Sequence, residues 1–216
     1  MTTKKFSPKD KVYNYLAQQL TLGKINRNDH ITEQSLATQL GMSRTPIREA
    51  LLELSMDNIL ERIPNKGFRV RYYTKKDIRE LYTLIGLLDG KVAELTIDKL
   101  TESDYSLMQF YVDSMTSAIK NSLYTKYNEL QDQFHAIYLD KCSNALLTNE
   151  LLNKKKSFIG KDYAHLSSTE ITNLLTQTNN EHQHIYYLFK KHKIDELRKY
   201  LEEVHWNPDN SRYDIS

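Results

Sequence analysis

Cysteine, proline and glycine are all scarce in this sequence. Cys142 is the only cysteine among 216 residues. One thiol forms neither an internal disulfide nor a thiolate metal cluster, so a reducing, cytoplasmic compartment is expected. Proline occurs only at 8, 46, 64 and 208, and the one glycine between 91 and 207 is Gly160. A long stretch without helix breakers, with apolar residues recurring near every 3.6 positions, predicts a helical bundle. No run approaches the roughly 18 apolar residues of a membrane span. The opening Met1-Thr-Thr-Lys-Lys-Phe6 lacks the apolar segment of a signal peptide, so no membrane partner is expected.

Charge is nearly balanced overall, at a net +2, but it is unevenly placed. Residues 1–73 carry twelve Lys/Arg against seven Asp/Glu, and residues 74–216 carry eighteen against twenty-one. A basic front half joined to an acidic rear half predicts two domains with different partners. The expected division is 1–73, 74–206 and a polar, flexible tail over 207–216.

The front half reads as short elements. Val12, Tyr15, Leu16 and Leu20 mark a helix over 8–22. Thr32 caps a second helix with Leu36, Ala37 and Leu40 on its apolar side, and Gly41 ends it. Ser43 caps a third, in which Pro46 is tolerated because first-turn N–H groups have no intrahelical partner. Ile47, Ala50, Leu51 and Leu54 form its buried stripe. Ile59–Ile63 and Phe68–Arg71 then flank Pro64-Asn-Lys-Gly67 as a β-hairpin. Three helices and a hairpin wing, followed by helices near 75–97, 102–121, 123–142, 144–160, 168–191 and 193–206, give a mainly α fold: a winged helix-turn-helix and then an all-helical bundle.

The third helix has the chemistry of a DNA reader. Its N-terminus offers free N–H groups and a positive dipole end to a phosphate, and Ser43 and Thr45 add hydroxyl donors. Arg44 and Arg48 are i,i+4 neighbours away from Leu51 and Leu54, placed to fork onto guanine edges or phosphates. At the wing tip Gly67 allows close backbone approach and Lys66 can meet a phosphate. Solvated surface arginines would read the same from charge alone; the helix-turn-helix order favours DNA.

The residues Glu33-Gln-Ser-Leu-Ala37, Leu40-Gly-Met-Ser-Arg-Thr-Pro-Ile-Arg-Glu-Ala-Leu51 and Asn65-Lys-Gly-Phe68 resemble the DNA-binding domain of the GntR family of bacterial transcription regulators. The resemblance covers about residues 10–71 and implies operator contacts by Arg44, Thr45, Arg48 and Gly67, from a homodimer on a palindromic double-stranded site. Asn28-Asp29 replaces a frequent Pro-Gly turn, and Met56-Asp57-Asn58 stands where an acidic residue and glycine are usual.

Six of the seven histidines follow residue 130. His135, His182 and His205 each lie along an apolar helix face, where three imidazoles could converge on a divalent metal or serve as ordinary packed side chains. Here the rear half is similar to the FCD effector domain that follows many GntR winged helices. That resemblance implies a divalent metal of the zinc or nickel type at the floor of a ligand pocket. Phe134-His135, Glu181-His182 and His205 fit its pattern, but Gln131 stands where the carboxylate ligand belongs and Asp132 is one position off. Three histidines with water, a set completed by Gln131 or Asp132, and an empty site all remain open. His165, His184 and His192 are expected on the surface.

The family's first effector helix aligns with Leu81-Tyr82 through Asp89, which implies pocket roles for Tyr82, Ile85 and Asp89. Ile85 replaces an arginine that commonly pairs with acidic effectors, which favours a more apolar ligand or one held through the metal. The expected function is therefore a ligand-responsive DNA-binding regulator, a repressor, and not an enzyme. A metal hydrolase would need a general base that the sequence does not show beside the histidines, and would leave the winged helix without a role. A third possibility makes the helical half a purely structural dimerisation domain.

Overall fold

The computed structural model describes residues 6–159 and 166–213, with side chains described to Asn210. The chain forms two compact units. The first holds residues up to Tyr73 together with the segment 156–159, and the second holds 74–155 and the chain from 166 onward.

In the first unit the elements are α1 (Pro8–Thr21), α2 (Glu33–Leu40), α3 (Arg44–Met56), β1 (Leu60–Ile63) and β2 (Gly67–Val70). Ser7 and Asp10 cap α1 reciprocally, Thr32 accepts from the Ser35 N–H, and Gly41 closes α2 in the left-handed region at φ 61°. Val12, Leu16 and Leu20 meet Ile47, Leu51 and Leu54 in one core, which Leu60, Phe68 and Val70 close from the hairpin. The strands pair antiparallel, with Leu60 opposite Val70 and Glu61 opposite Arg69. Asn58 stands at φ 61°, which asparagine tolerates better than most side chains, so the chain turns out of α3 there without a glycine. Asp29 likewise builds the 26–29 turn by accepting from the Asn26 N–H at 2.8 Å.

Ile31 bonds to the outer edge of β2, its N–H to Phe68 O at 2.7 Å and its carbonyl from Phe68 N at 2.9 Å. This gives Gly67 a structural reason for being glycine. A Cβ there would stand 2.5 Å from the Ile31 carbonyl oxygen, and its φ of 96° is strained for any L side chain. Gly67→Ala is expected to destabilise this unit by about 1–3 kcal/mol, seen as a lower denaturation midpoint. An unchanged midpoint would contradict this packing.

Ile159 is fully buried in the same core, far from it in sequence. The Arg27 guanidinium donates to its carbonyl at 3.3 Å, and the Tyr13 hydroxyl donates to the Lys156 carbonyl at 3.3 Å. The expected division at 73 places this short segment in the rear half of the chain, and its packing joins it to the first unit.

The second unit is helical: α4 (Lys75–Thr96), α5 (Glu102–Lys120), α6 (Tyr124–Leu139), α7 (Ala145–Lys156), α8 (Ser168–Lys190) and α9 (Ile194–Tyr200). Capping boxes start three of them: Thr74 with Asp77, Thr101 with Asp104, and Ser167 with Glu170. Each satisfies helix-start N–H groups that otherwise have no intrahelical acceptor, worth about 1 kcal/mol apiece. Instead of one regular helix over 193–206, α9 widens into a π turn over Leu201–His205, where the Trp206 N–H reaches Leu201 O. The tail expected to be flexible from 207 forms a 3-10 turn, Pro208–Tyr213, tied to α4 by Arg79 donating to Pro208 O at 3.1 Å. Among the described residues no helix is long and apolar enough to cross a membrane.

Candidate functional site

On α3 of the first unit, Ile47, Ala50, Leu51 and Leu54 point into the core, while Ser43, Arg44, Thr45 and Arg48 are exposed. Ser43 occupies the N-cap position but makes no capping bond through its side chain. Its hydroxyl and the first-turn N–H groups are therefore available to an anion such as a phosphate. Lys66 is exposed at the turn between β1 and β2, beside Gly67.

Glu33, in the first turn of α2, organises both arginines. Arg48 forks onto it, Nε to Oε1 at 2.9 Å and Nη2 to Oε2 at 3.0 Å, and Arg44 Nη2 reaches Oε2 at 3.4 Å. The Arg48 hydrogen bond holds the Glu33 carboxyl below its usual range. In the sequence Glu33 stands out only as part of the string that resembles the GntR family, with no sign of these partners. Eleven and fifteen residues separate it from its partners, and no local periodicity signals such a pairing.

In the second unit His135 from α6, His182 from α8 and His205 from the π turn come together. All three are buried, with candidate ligand atoms within 4.8 Å of one another. Their ring centroids stand 5.1–5.3 Å apart, a nearly equilateral triangle. Phe134 packs edge-on against His135 and His182. Gly86 and Gly90 on α4 let the π turn approach. A Cβ on Gly86 would meet Trp206 Cβ at 3.1 Å and Glu202 Cα at 3.2 Å.

The hydrogen bonds around the cluster fix which nitrogens face inward. The Tyr138 hydroxyl donates to Asp89 Oδ1 at 2.7 Å, so its oxygen accepts from His135 Nδ1–H, also at 2.7 Å. His135 Nε2 is left with its lone pair. His205 Nδ1 donates to Glu181 Oε2 at 2.9 Å, which turns its Nε2 the other way. His182 Nε2 stands 3.3 Å from His135 Nε2, and His182 Nδ1 is buried with no hydrogen-bond partner among the described residues. Burial, above all, pushes His135 and His182 well below the usual imidazole range, and the Lys155 ammonium adds to this in both. Burial therefore favours the neutral form of both rings, the form that binds metals.

These residues fit a divalent ion. Two nitrogens each about 2.0–2.1 Å from a tetrahedral zinc stand roughly 3.3–3.4 Å apart, which is the separation of the two Nε2 atoms. Asp132 does not join them: it is exposed on α6, because one residue off the His135 face rotates a helical side chain by about 100°. Gln131 is half-buried, one turn before His135. His184 packs on Tyr200 at 4.4 Å between centroids, outside the cluster. His192 is exposed and faces Asp98. His165 lies outside the described residues.

Tyr82, Ile85 and Asp89 share the buried side of α4. Ile85 is fully buried. Tyr82 meets Trp206 edge-on at 5.4 Å. Both Asp89 oxygens are engaged, Oδ2 by the Trp206 indole N–H at 2.8 Å and Oδ1 by Tyr138. Asp89 thus belongs to the surroundings of the histidines, a link across 46 residues that no spacing discloses.

Residues 8–70 match the family described as bacterial regulatory proteins, gntR family, and residues 80–204 match the FCD domain. The uncharacterized HTH-type transcriptional regulator YdhC of Bacillus subtilis is 31% identical over 140 residues, 64% of this chain and 62% of that protein. The HTH-type transcriptional regulator McbR of Escherichia coli is 33% identical over 107 residues, 50% of this chain and 48% of that protein. The chain thus spans about half to three-fifths of the length of these curated relatives. The solved structure of E. coli McbR/YncC superposes with a TM-score of 0.77 at 22% identity, covering 93% of this chain and 94% of that one, a likeness of fold.

Proposed function

The chain belongs to the GntR family of bacterial regulatory proteins and carries an FCD domain, and from that premise we propose that it is a ligand-responsive transcriptional repressor. It binds a palindromic double-stranded operator as a homodimer. The observation that supports this most directly is the pair of exposed guanidinium groups, Arg44 and Arg48, beside an open helix N-terminus. In such a motif the first turn of the second helix meets base edges, and two copies reach half-sites about one helical turn apart. Ser43 and Thr45 take phosphates, Arg44 and Arg48 take bases, and Lys66 with Gly67 follows the backbone at the wing. Leu84, Leu87 and Leu95 are exposed on one side of α4, on either side of the charged Lys91, and this apolar surface supports self-association.

Glu33 keeps the two arginines extended and side by side before DNA arrives, which lowers the side-chain ordering left to be done on binding. Phosphate and base contacts separate experimentally. Lys66→Ala should weaken all DNA sequences alike and reduce the slope of log affinity against log salt by about one. An unchanged slope would remove Lys66 from the interface.

In the helical unit, a divalent ion of the zinc or nickel type held by His135, His182 and His205 would supply an open coordination position to a small effector. Ile85 brings no charge to that unit, so effector recognition falls to the histidine centre and to apolar contact. Tyr82 and Trp206 supply aromatic surface nearby. An effector changes operator affinity only by binding one arrangement of the protein better than another.

A further inference from the structure

Asp89 is a carboxylate with an accessibility of 0%. Burying a carboxylate is costly unless a positive charge or strong hydrogen bonds compensate. Its two hydrogen-bond donors, the Tyr138 hydroxyl and the Trp206 indole, are both neutral. Among the described residues no lysine or arginine pairs with it, and its one potential ion-pair partner is His135 Nδ1 at 3.9 Å. The Tyr138 hydroxyl lies 2.7 Å from both Asp89 Oδ1 and His135 Nδ1, so a single hydroxyl links the carboxylate to the imidazole.

Glu181 is the second buried carboxylate here, and it accepts directly from His205 Nδ1. Two carboxylates thus stand behind two of the three imidazoles, one in direct contact and one through a tyrosine. Negative charge nearby offsets part of the cost of burying a dication on three neutral imidazoles. A hydrogen bond from the rear nitrogen to an acceptor also fixes the ring and strengthens its forward nitrogen as a ligand.

We propose that Asp89, acting through Tyr138, and Glu181 form the anionic outer layer of the three-histidine centre. They supply the charge balance and ligand orientation that a coordinating carboxylate would give in the place of Gln131. This inference rests on the metal-binding reading above. Tyr138 and Asp89 are positioning residues for His135, Glu181 is one for His205, and none of them touches the ion.

Zinc affinity, measured by competition with a chromophoric chelator, and the absorption spectrum of the cobalt-loaded protein test it. Asp89→Asn, Tyr138→Phe and Glu181→Gln should each weaken zinc binding about 10–100-fold and shift the cobalt bands. Glu129→Gln, a change of similar chemistry on the exposed side of α6, should alter neither. Tyr138→Phe removes one hydroxyl and keeps the ring that packs on Phe189, so it carries the test even where Asp89→Asn fails to fold. Wild-type affinity and spectrum in both Tyr138→Phe and Glu181→Gln would overturn the outer-layer role while leaving metal binding intact. A wild-type protein that takes up neither zinc nor cobalt would overturn the metal reading, and this inference with it.

Discussion

Replacing His182 with alanine is expected to abolish divalent-metal binding. His182 is fully buried, stands 3.3 Å from His135, and has no second polar contact through its Nδ1 among the described residues. Two nitrogens, from His135 and His205, would remain, and the neighbouring carboxylates of Asp89 and Glu181 are already committed behind the rings. The loss should exceed the roughly 10–100-fold expected for the outer-layer substitutions. Thermal unfolding reads this without a known effector. Free zinc at about 100 times the dissociation constant stabilises a folded protein by roughly 2.7 kcal/mol, a rise of about 5–10 °C for a chain of this size. The wild-type midpoint should rise with zinc and that of His182→Ala should not. An equal rise in both would place the ion elsewhere.

Arg48→Ala is expected to have the largest effect on operator binding. Arg48 makes two hydrogen bonds to Glu33 where Arg44 makes one longer contact, so its guanidinium plane is the better fixed of the two. A bidentate contact to a guanine contributes about 1–3 kcal/mol of discrimination, so Arg48→Ala should weaken the operator about 5- to 150-fold and relax preference at one base pair. Arg44→Ala should fall in the same range at a different position. Both side chains are exposed, so neither change should lower the stability of the winged helix. Anisotropy titrations against operator and scrambled DNA separate loss of specificity from loss of charge. Equal weakening on both DNAs would make these arginines phosphate contacts.

Much of the fold was legible because its signals are local. Thr32 and Ser43 each announce a helix start through residue type and a following first turn. Gly41 and the Pro64–Gly67 turn mark ends just as locally. What the sequence hid is tertiary. Nothing in the spacing of His135, His182 and His205 proves that three helices aim them at one point; the family pattern suggested it and the geometry brings them together. Asp89 read as a pocket residue through the family resemblance alone, and its hydrogen bonds to Tyr138 and Trp206 are tertiary links that no spacing discloses. Ile159 read as part of the helical half because a domain boundary was drawn once along the chain, whereas burial places it in the winged-helix core. The π turn at 201–205 was missed because nothing in its own residues marks it, and the glycines of α4 that leave it room lie more than a hundred residues upstream.

The account centres on a winged helix that reads DNA through Arg44 and Arg48. Selection of bound duplexes from a random pool, run in parallel with wild-type protein and the Arg44→Ala/Arg48→Ala double variant, tests it most directly. Wild-type protein should enrich a two-fold symmetric motif with half-sites about one helical turn apart, and the folded double variant should enrich none. Recovery of the same motif by both proteins would contradict the account.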